Sequence, residues 1–523
     1  MHLRSNANRI TLVLLLSMFG NGWASTPNRI HRLSLEELHD KIAGGWAGKM
    51  IGVSFAAPTE FRAQGRIMEG PLPPWKPEHV SNSLKQDDLY VNMTLAKVLD
   101  EKGWKATTAD FGNLFRDAQY GLWHANLAAR RALRRGVPAA LSGTPKYNAH
   151  ANDIDFQIEA DFIGLTAPGL YQSANRIADH AGRVMNYGDG LYGGMFVAGM
   201  YSAAFIETDI RRVVETGLSC IPKNSPYARL ISDVLMWSKQ YPDDWKKVWG
   251  MIGEKWDQRE PCPAGALKPF NIDAKLNGAY IVLGLLYGEA DFSRTMEIAV
   301  RSGQDSDCNG STAAGILGVL FGYQAIPAEW KNGIPKIADS VFSYTDFTFN
   351  TMVESNMNRA LALVRKCGGL TEGADLLIPV QKSKAPVLEI WDDYGSPIES
   401  ISTDDRRWSW NGEWKASQNP SRGSSMTASE KNAEAIIEFE GTGVIVVGPY
   451  LPEGGKANIY LDGRLHKTVD VCSDERQTKN DEAVWHAFHL KPKRHQLKIV
   501  VCGEPYGSAN KTEVAISRLT VFR

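Results

Sequence analysis

Apolar residues recur at helical spacing through the first two thirds of the chain and alternate with polar ones through the last quarter. Leu89, Met93, Ala96 and Leu99 mark one face of a helix, and Ala313 to Phe321 is a small-residue apolar run that reads as a buried one. Ser311 or Thr312 is available to cap that run. Ser34-Leu35-Glu36-Glu37 has the form of a capping box, with Ser34 at the N-cap and Glu37 reaching back. The helix it launches carries Gly44, Gly45, Gly48 and Gly52, whose low helix propensity means that packing must hold it. Helical pattern continues over 105–142 and 206–300, including Asn277 to Tyr287, and on to about Lys366. From about Pro386 the segments become short, β-branched and alternating: Ala435 to Glu440, Gly443 to Gly448, Ala457 to Leu461, Trp485 to Leu490, Gln496 to Cys502 and Val514 to Phe522. Turns such as Glu453-Gly454-Gly455 and Asp462-Gly463 separate them. The pattern predicts a helical domain over 30–380 and a β-sandwich over 386–523.

At the N-terminus, His2, Arg4 and Arg9 precede the apolar segment Ile10 to Phe19, with small Gly22 and Ala24 beyond it. This is the layout of a secretory signal over 1–24, too short to span a bilayer, so the expected location is periplasmic or secreted. No later segment reads as a membrane span. A formal net charge of −1 offers no electrostatic basis for binding nucleic acid. The six cysteines form no CxxC pattern. In an oxidising compartment Cys472 with Cys502 is the first candidate disulfide and Cys220 with Cys262 the second, whereas Cys308 is expected to be a free, buried thiol.

Two acidic doublets stand out against this background. Asp305 and Asp307 come just ahead of the Ala313 helix, and Asp87 and Asp88, after Lys85-Gln86, open the Leu89 helix. Carboxylates suit helix N-termini, but two so close repel each other unless a positive charge lies between them. A divalent cation with oxygen ligands relieves that repulsion; a pair of capping aspartates in a solvated turn is the plainer reading.

With these doublets the chain resembles the ADP-ribosylglycohydrolase family. The matching pieces are KIAGGWAGKMIGVSFAAPTEF (Lys41 to Phe61), Asp87-Asp88, GDGLYGGMFVAGM (Gly188 to Met200) and QDSDCNGSTAAGILG (Gln304 to Gly318), in the family's order over roughly 35–365. The resemblance implies an all-α domain whose cleft holds one or two Mg²⁺ ions and hydrolyses a glycosidic bond, with Ca²⁺ or Mn²⁺ as alternatives. It also implies Asp87, Asp88, Asp305 and Asp307 as metal ligands, with the neighbouring Gln86 and Asn309 as further ligand candidates, and Glu60 as an acidic residue near substrate. Three positions depart from the family pattern: Val53 replaces an Asp, and Gln86 and Cys308 stand where relatives commonly use Thr. A thiol is a poor ligand for Mg²⁺, so one of the usual two ions is expected to be weakened, moved or lost. The C-terminal region resembles galactose-binding-like jelly rolls appended to secreted carbohydrate enzymes.

Other stretches add candidates. Asn152 to Gly169 packs Asp153, Asp155, Glu159 and Asp161 among Ile and Phe, acids that cannot all be buried unless paired or protonated. Asp155 and Glu159 share a helical face and join Glu60 and Asp88 as catalytic candidates; a solvated helix start is the alternative. Asp153 is expected to line the same cleft and bind substrate, as are Asp189, Tyr192 and Asn186 of the glycine-rich segment NYGDGLYGG, and Trp123. The Pro-rich loop over 61–83 is a candidate lid. Arg130-Arg131 and Arg134-Arg135 read as a solvated helix face, and DDRRWSWNGEW (Asp404 to Trp414) either grips sugar or caps the sandwich and packs against the helical domain. Together these predict an exported, metal-assisted glycoside hydrolase with a carbohydrate substrate. An ADP-ribosyl hydrolase and an inactive sugar-binding protein are the alternatives.

Overall fold

The computed structural model describes residues 29–523 apart from 258–260, 420–422, 476 and 508, so the expected leader over 1–24 lies outside the described residues. Helix α1 (Leu35–Ala56) starts at Ser34, whose side chain accepts the Glu37 N–H at 3.0 Å. The helices that frame the site are α2 (Asp87–Lys102), α3 (His124–Arg134), α4 (Asp189–Ala204), α5 (Ala274–Tyr287) and α6 (Ser306–Phe321). No described helix is long and apolar enough to cross a membrane.

The packing of α1 on α6 organises the domain. A Cβ on Gly44, Gly48 or Gly52 would lie 2.1, 2.2 and 2.4 Å from the carbonyl oxygens of Gly318, Ala314 and Gly310. The glycines therefore let two backbones touch, and packing offsets their poor helix propensity. Asp305 is the N-cap of α6, which begins at Ser306, seven residues ahead of the apolar run's Ala313. Ser311 and Thr312 consequently lie inside the helix rather than capping it, and the Ser311 hydroxyl donates to the Lys49 carbonyl at 3.2 Å.

Strand β1 (Arg29–Ser34) pairs antiparallel with β3 (Asp375–Val380), which also pairs with β2 (Leu370–Glu372), so a small sheet closes the helical domain. The antiparallel C-terminal sheets are consistent with a β-sandwich. One has five strands: Arg464–Asp470, Gly455–Leu461, Lys493–Pro505, Glu434–Gly441 and Ser409–Asn411. The facing one has four: Lys479–Ala487, Gly443–Tyr450, Arg518–Phe522 and Pro397–Ser402. Between them Ile437, Val446, Ile459, Ile499 and Leu519 form a separate apolar core. Trp408 is buried in that core, Trp410 stacks on it at 5.0 Å and Trp414 packs on Trp410, so these rings serve the sandwich itself.

Two expectations are corrected here. The arginine run is not a solvated face. Arg130 and Arg131 are buried, and with Arg135 they reach into the sandwich. Arg130 pairs with Glu475, Arg131 lies 3.5 Å over the Tyr450 ring and pairs with Asp470, and Arg135 pairs with Asp470 at 2.8 Å and Asp474 at 2.6 Å. Charge alone could not distinguish solvent from an acidic partner some 340 residues away. Nor is either expected disulfide present: no bridge joins any of the six cysteines, and Cys308 is a buried thiol.

Candidate active site

The turn after α1 and the turn before α6 are stitched together. Phe61 N–H donates to the Gln304 carbonyl and Gln304 N–H to the Ala63 carbonyl, both at 3.0 Å, and Phe61 and Gln304 both take positive φ. This reciprocal pairing brings Glu60 to Asp305 and Asp307, with ligand oxygens of the three within 4.8 Å of one another. Asp88, Asp307 and Cys308 form a second group within the same limit. A cavity of about 290 Å³ opens over them, lined by Glu60, Asp87, Asp155, Asp305 and Asp307 with Trp123, His124 and Tyr90. Its one lining lysine is Lys85. Glu60, Lys85 and Gln86 also line a larger groove of about 810 Å³ that runs under Pro73, Pro74 and Trp75. The Pro-rich loop is thus one wall of an open groove, anchored by packing of Trp75 on Trp330.

Crowding of carboxyls around the cavity, from the solvent-facing Glu60 to the buried Asp305 and Asp307, raises their pKa values. Burial and then the Asp87 and Asp88 charges push Glu60 to about 7, and burial with Asp88 pushes Asp87 to about 6. Asp305 and Asp307 lie well above the usual range, again by burial first. Asp305 Oδ1 and Asp307 Oδ1 are buried and accept no hydrogen bond among the described residues. Converging oxygens, uncompensated burial and orphaned acceptors fit a divalent cation, for which oxygen is the preferred ligand. Asp88 has both oxygens engaged: Oδ1 faces Lys49 Nζ at 3.4 Å, and Oδ2 accepts the Cys308 thiol at 3.3 Å. Glu60, Asp305 and Asp307, whose oxygens converge, are therefore the carboxyls best disposed to hold an ion, with Asp87 on the same cavity wall.

Lys49 escaped the sequence reading. It is fully buried on α1, and burial opposes its charge, but Asp161 and Asp88 hold its pKa above the ordinary value. Its ammonium lies 2.6 Å from Asp161 Oδ2 and 3.0 Å from the Ile158 carbonyl. A single charge inside the apolar, glycine-rich run was the available signal.

All four acids of the Asn152 stretch are buried, and each finds a partner. Asp155 accepts the Ala125 and Asn126 N–H groups at the start of α3 and reaches the cavity, with burial raising it to about 7. Glu159 sits behind it, hydrogen-bonded to Asn126. Asp161 pairs with Lys49. Asp153 pairs with His150 at 2.7 Å, in a cluster beside the cavity rather than on its wall.

The remaining candidates separate. Trp123 is half exposed on the cavity wall, and Gln86 lines it. Asn309 donates to Asn277 at 3.0 Å, setting the start of α6. Asn186 bridges the carbonyls of Ala151 and Asp153 and accepts the Phe156 N–H, so its polar atoms are spent on the backbone. Asp189 accepts the Tyr227 N–H at 3.1 Å, and Tyr192 receives the Glu389 N–H at 2.6 Å. These three are not brought to the cavity.

Residues 34–360 match the profile of a protein family described as ADP-ribosylglycohydrolase. Among curated proteins none matches the chain. A solved structure titled "ADP-ribosylglycohydrolase-related protein complex" is similar over 64% of this chain and 99% of its own, at 18% identity and a TM-score of 0.40. A carbohydrate-binding module solved with calcium and xylotriose aligns over 24% of this chain and 100% of its own, at 8% identity and a TM-score of 0.18. A family two carbohydrate esterase from Cellvibrio japonicus aligns over 24% of this chain and 33% of its own, at 16% identity and a TM-score of 0.18.

Proposed function

Because the chain belongs to the ADP-ribosylglycohydrolase family, a family of hydrolases, we propose that it is a metal-assisted glycoside hydrolase acting on an uncharged glycan or glycoside. The observation that carries this reading is the cavity wall, where five carboxyls face one lysine. Beyond the cation, this wall offers a pyrophosphate one lysine and, among the described residues, no arginine, while its free oxygens accept hydrogen bonds from sugar hydroxyls. Trp123 offers a ring for the apolar face of a pyranose.

In this reading Glu60, Asp87, Asp305 and Asp307 hold the cation, which when bound polarises a substrate oxygen or water. Asp155, anchored on the start of α3, receives substrate hydroxyls. Asp155, raised to about 7 and reaching the cavity, also exchanges the proton at the scissile oxygen. Lys49 fixes Asp88 and keeps α2 in register with the site. The enzyme acts outside the cytoplasm, as the apolar leader suggests.

Family membership keeps hydrolysis of an ADP-ribosyl bond as the second reading. Purified protein offered aryl glycosides, oligosaccharides and ADP-ribosylated peptide, each with Mg²⁺ and with EDTA, separates the two. Metal-dependent release of sugar from the glycosides supports the first reading, and turnover of only the peptide overturns it.

A further inference from the structure

Beside the cavity stands a second group of ligating side chains, different in chemistry from the carboxylates. His124, His150, Asp153 and Cys262 each offer one atom, and all four atoms lie within 4.8 Å of one another. His150 Nδ1 is 2.7 Å from Asp153 Oδ2, His124 Nδ1 is 3.9 Å from the same oxygen, and Cys262 Sγ is 4.0 Å from His124 Nδ1. Four donors around a tetrahedral zinc ion, with bonds of about 2.0–2.3 Å, sit roughly 3.3–3.7 Å apart. Small side-chain movements convert one arrangement into the other.

The scaffold is rigid. Asn148 ties the His150 N–H to the carbonyls of Ala125 and Met185, and Asp153 N–H donates to the His150 carbonyl. Asn186 holds the Asp153 carbonyl, and Ile154 N–H donates to Ile272. The His124 ring stacks on Phe270 at 6.0 Å, in the segment that follows Cys262. From the sandwich, Arg518 donates to the Pro263 carbonyl at 2.7 Å, next to Cys262.

Asp153 is wholly buried near the charges of Asp155, Asp273 and Lys275, and its ion-pair partners among the described residues are the two imidazoles. Asp153 Oδ1 is buried and accepts no hydrogen bond among the described residues. A divalent ion would take up that orphaned oxygen together with the imidazole and thiol donors.

We propose that His124, His150, Asp153 and Cys262 form a second metal site, built for a borderline-soft transition ion such as Zn²⁺ and distinct from the carboxylate site. Nitrogen and sulfur donors disfavour Mg²⁺ and Ca²⁺ and suit zinc. Binding releases the Cys262 thiol proton to solvent. The ion fastens the Cys262 loop to the cavity wall through His124, which belongs to both.

The test is Co²⁺ titration of the full-length protein after EDTA treatment and dialysis. One equivalent is expected to bind with a thiolate-to-cobalt charge-transfer band that Zn²⁺ bleaches. Cys262→Ser removes the band and Cys308→Ser, altering the thiol beside the carboxylate site, retains it; Asp305→Asn retains it as well. Zn²⁺ should raise the melting temperature of the parent and not of Cys262→Ser, a readout that checks the variant's folding at the same time. No thiolate band in the parent, or a band lost with Cys308→Ser but kept with Cys262→Ser, overturns the proposal. None of these measurements depends on the substrate.

Discussion

Gly48 meets Ala314 so closely that a Cβ on the glycine would stand 2.2 Å from the alanine's carbonyl oxygen. The contact is backbone to backbone, so no side chain can rotate out of the way. It also sets the distance between Glu60, at the end of one helix, and Asp305 and Asp307, at the start of the other. Gly48→Ala should therefore destabilise the domain by about 1–3 kcal/mol and weaken Mg²⁺ binding, as measured by urea unfolding and calorimetric titration. A variant with parental stability and affinity would mean that the crossing relaxes without cost.

Lys49→Met should be more damaging. The substitution leaves Asp161 and Asp88 buried without their cation, and breaking a buried pair from one side costs about 3–5 kcal/mol. Adding Asp161→Leu should recover part of that loss, because a buried pair replaced on both sides by apolar groups is often tolerated. A double variant no more stable than the single one would sink the pairing argument.

These two cases mark what was legible in the chain. Helical and alternating periodicities report on local burial, so the two fold regions and the helices opening at the acidic doublets could be read directly. The glycine spacing at 44, 48 and 52 pointed to close packing but not to its partner. Partners that are distant in sequence were hidden: Asp161 for Lys49, Asp470 for Arg131, and His150 for Asp153. Asn186 and Asp189 look like ligands for a sugar because the same polar atoms that bind hydroxyls also bind backbone, and only the fold separates the two uses.

Asp305→Asn and Asp307→Asn should each reduce Mg²⁺ affinity and any hydrolytic activity while preserving the fold, since both carboxyls lie well above the usual range without a cation. Protons compete with the ion for Glu60 and Asp87, raised to about 7 and about 6, so affinity in the parent should be higher at pH 8 than at pH 5.5. Full activity in excess EDTA would remove the cation from the mechanism.

The arginine face joins the two regions. Arg131 and Arg135 are largely buried against Tyr450, Asp470 and Asp474. Removing both as Arg131→Ala/Arg135→Ala strands Asp470, a loss of about 2–5 kcal/mol in comparable interfaces. Scanning calorimetry should then resolve two unfolding transitions in place of a merged one. A single unchanged transition would show that the apolar contacts suffice.

Glu482 gives the interface a pH dependence of definite sign. It is buried on the Lys479–Ala487 strand, facing a cavity of about 560 Å³ between the two regions. Burial pushes it to about 8, against the pull of Arg131 and Lys479 and with the push of Glu475 and Asp481. A carboxyl whose folded pKa exceeds its unfolded one favours the folded state when protonated. Its contribution is full below about pH 4.5, declines as the pH rises and is lost on passing about 8. Glu482→Gln keeps the neutral shape at every pH, so the variant should melt close to the parent at pH 5 and above it at pH 8.5. Thermal unfolding of both proteins at the two pH values decides the matter. If the variant instead melts lower at pH 8.5, Glu482 is ionised there and the Arg131 guanidinium carries it.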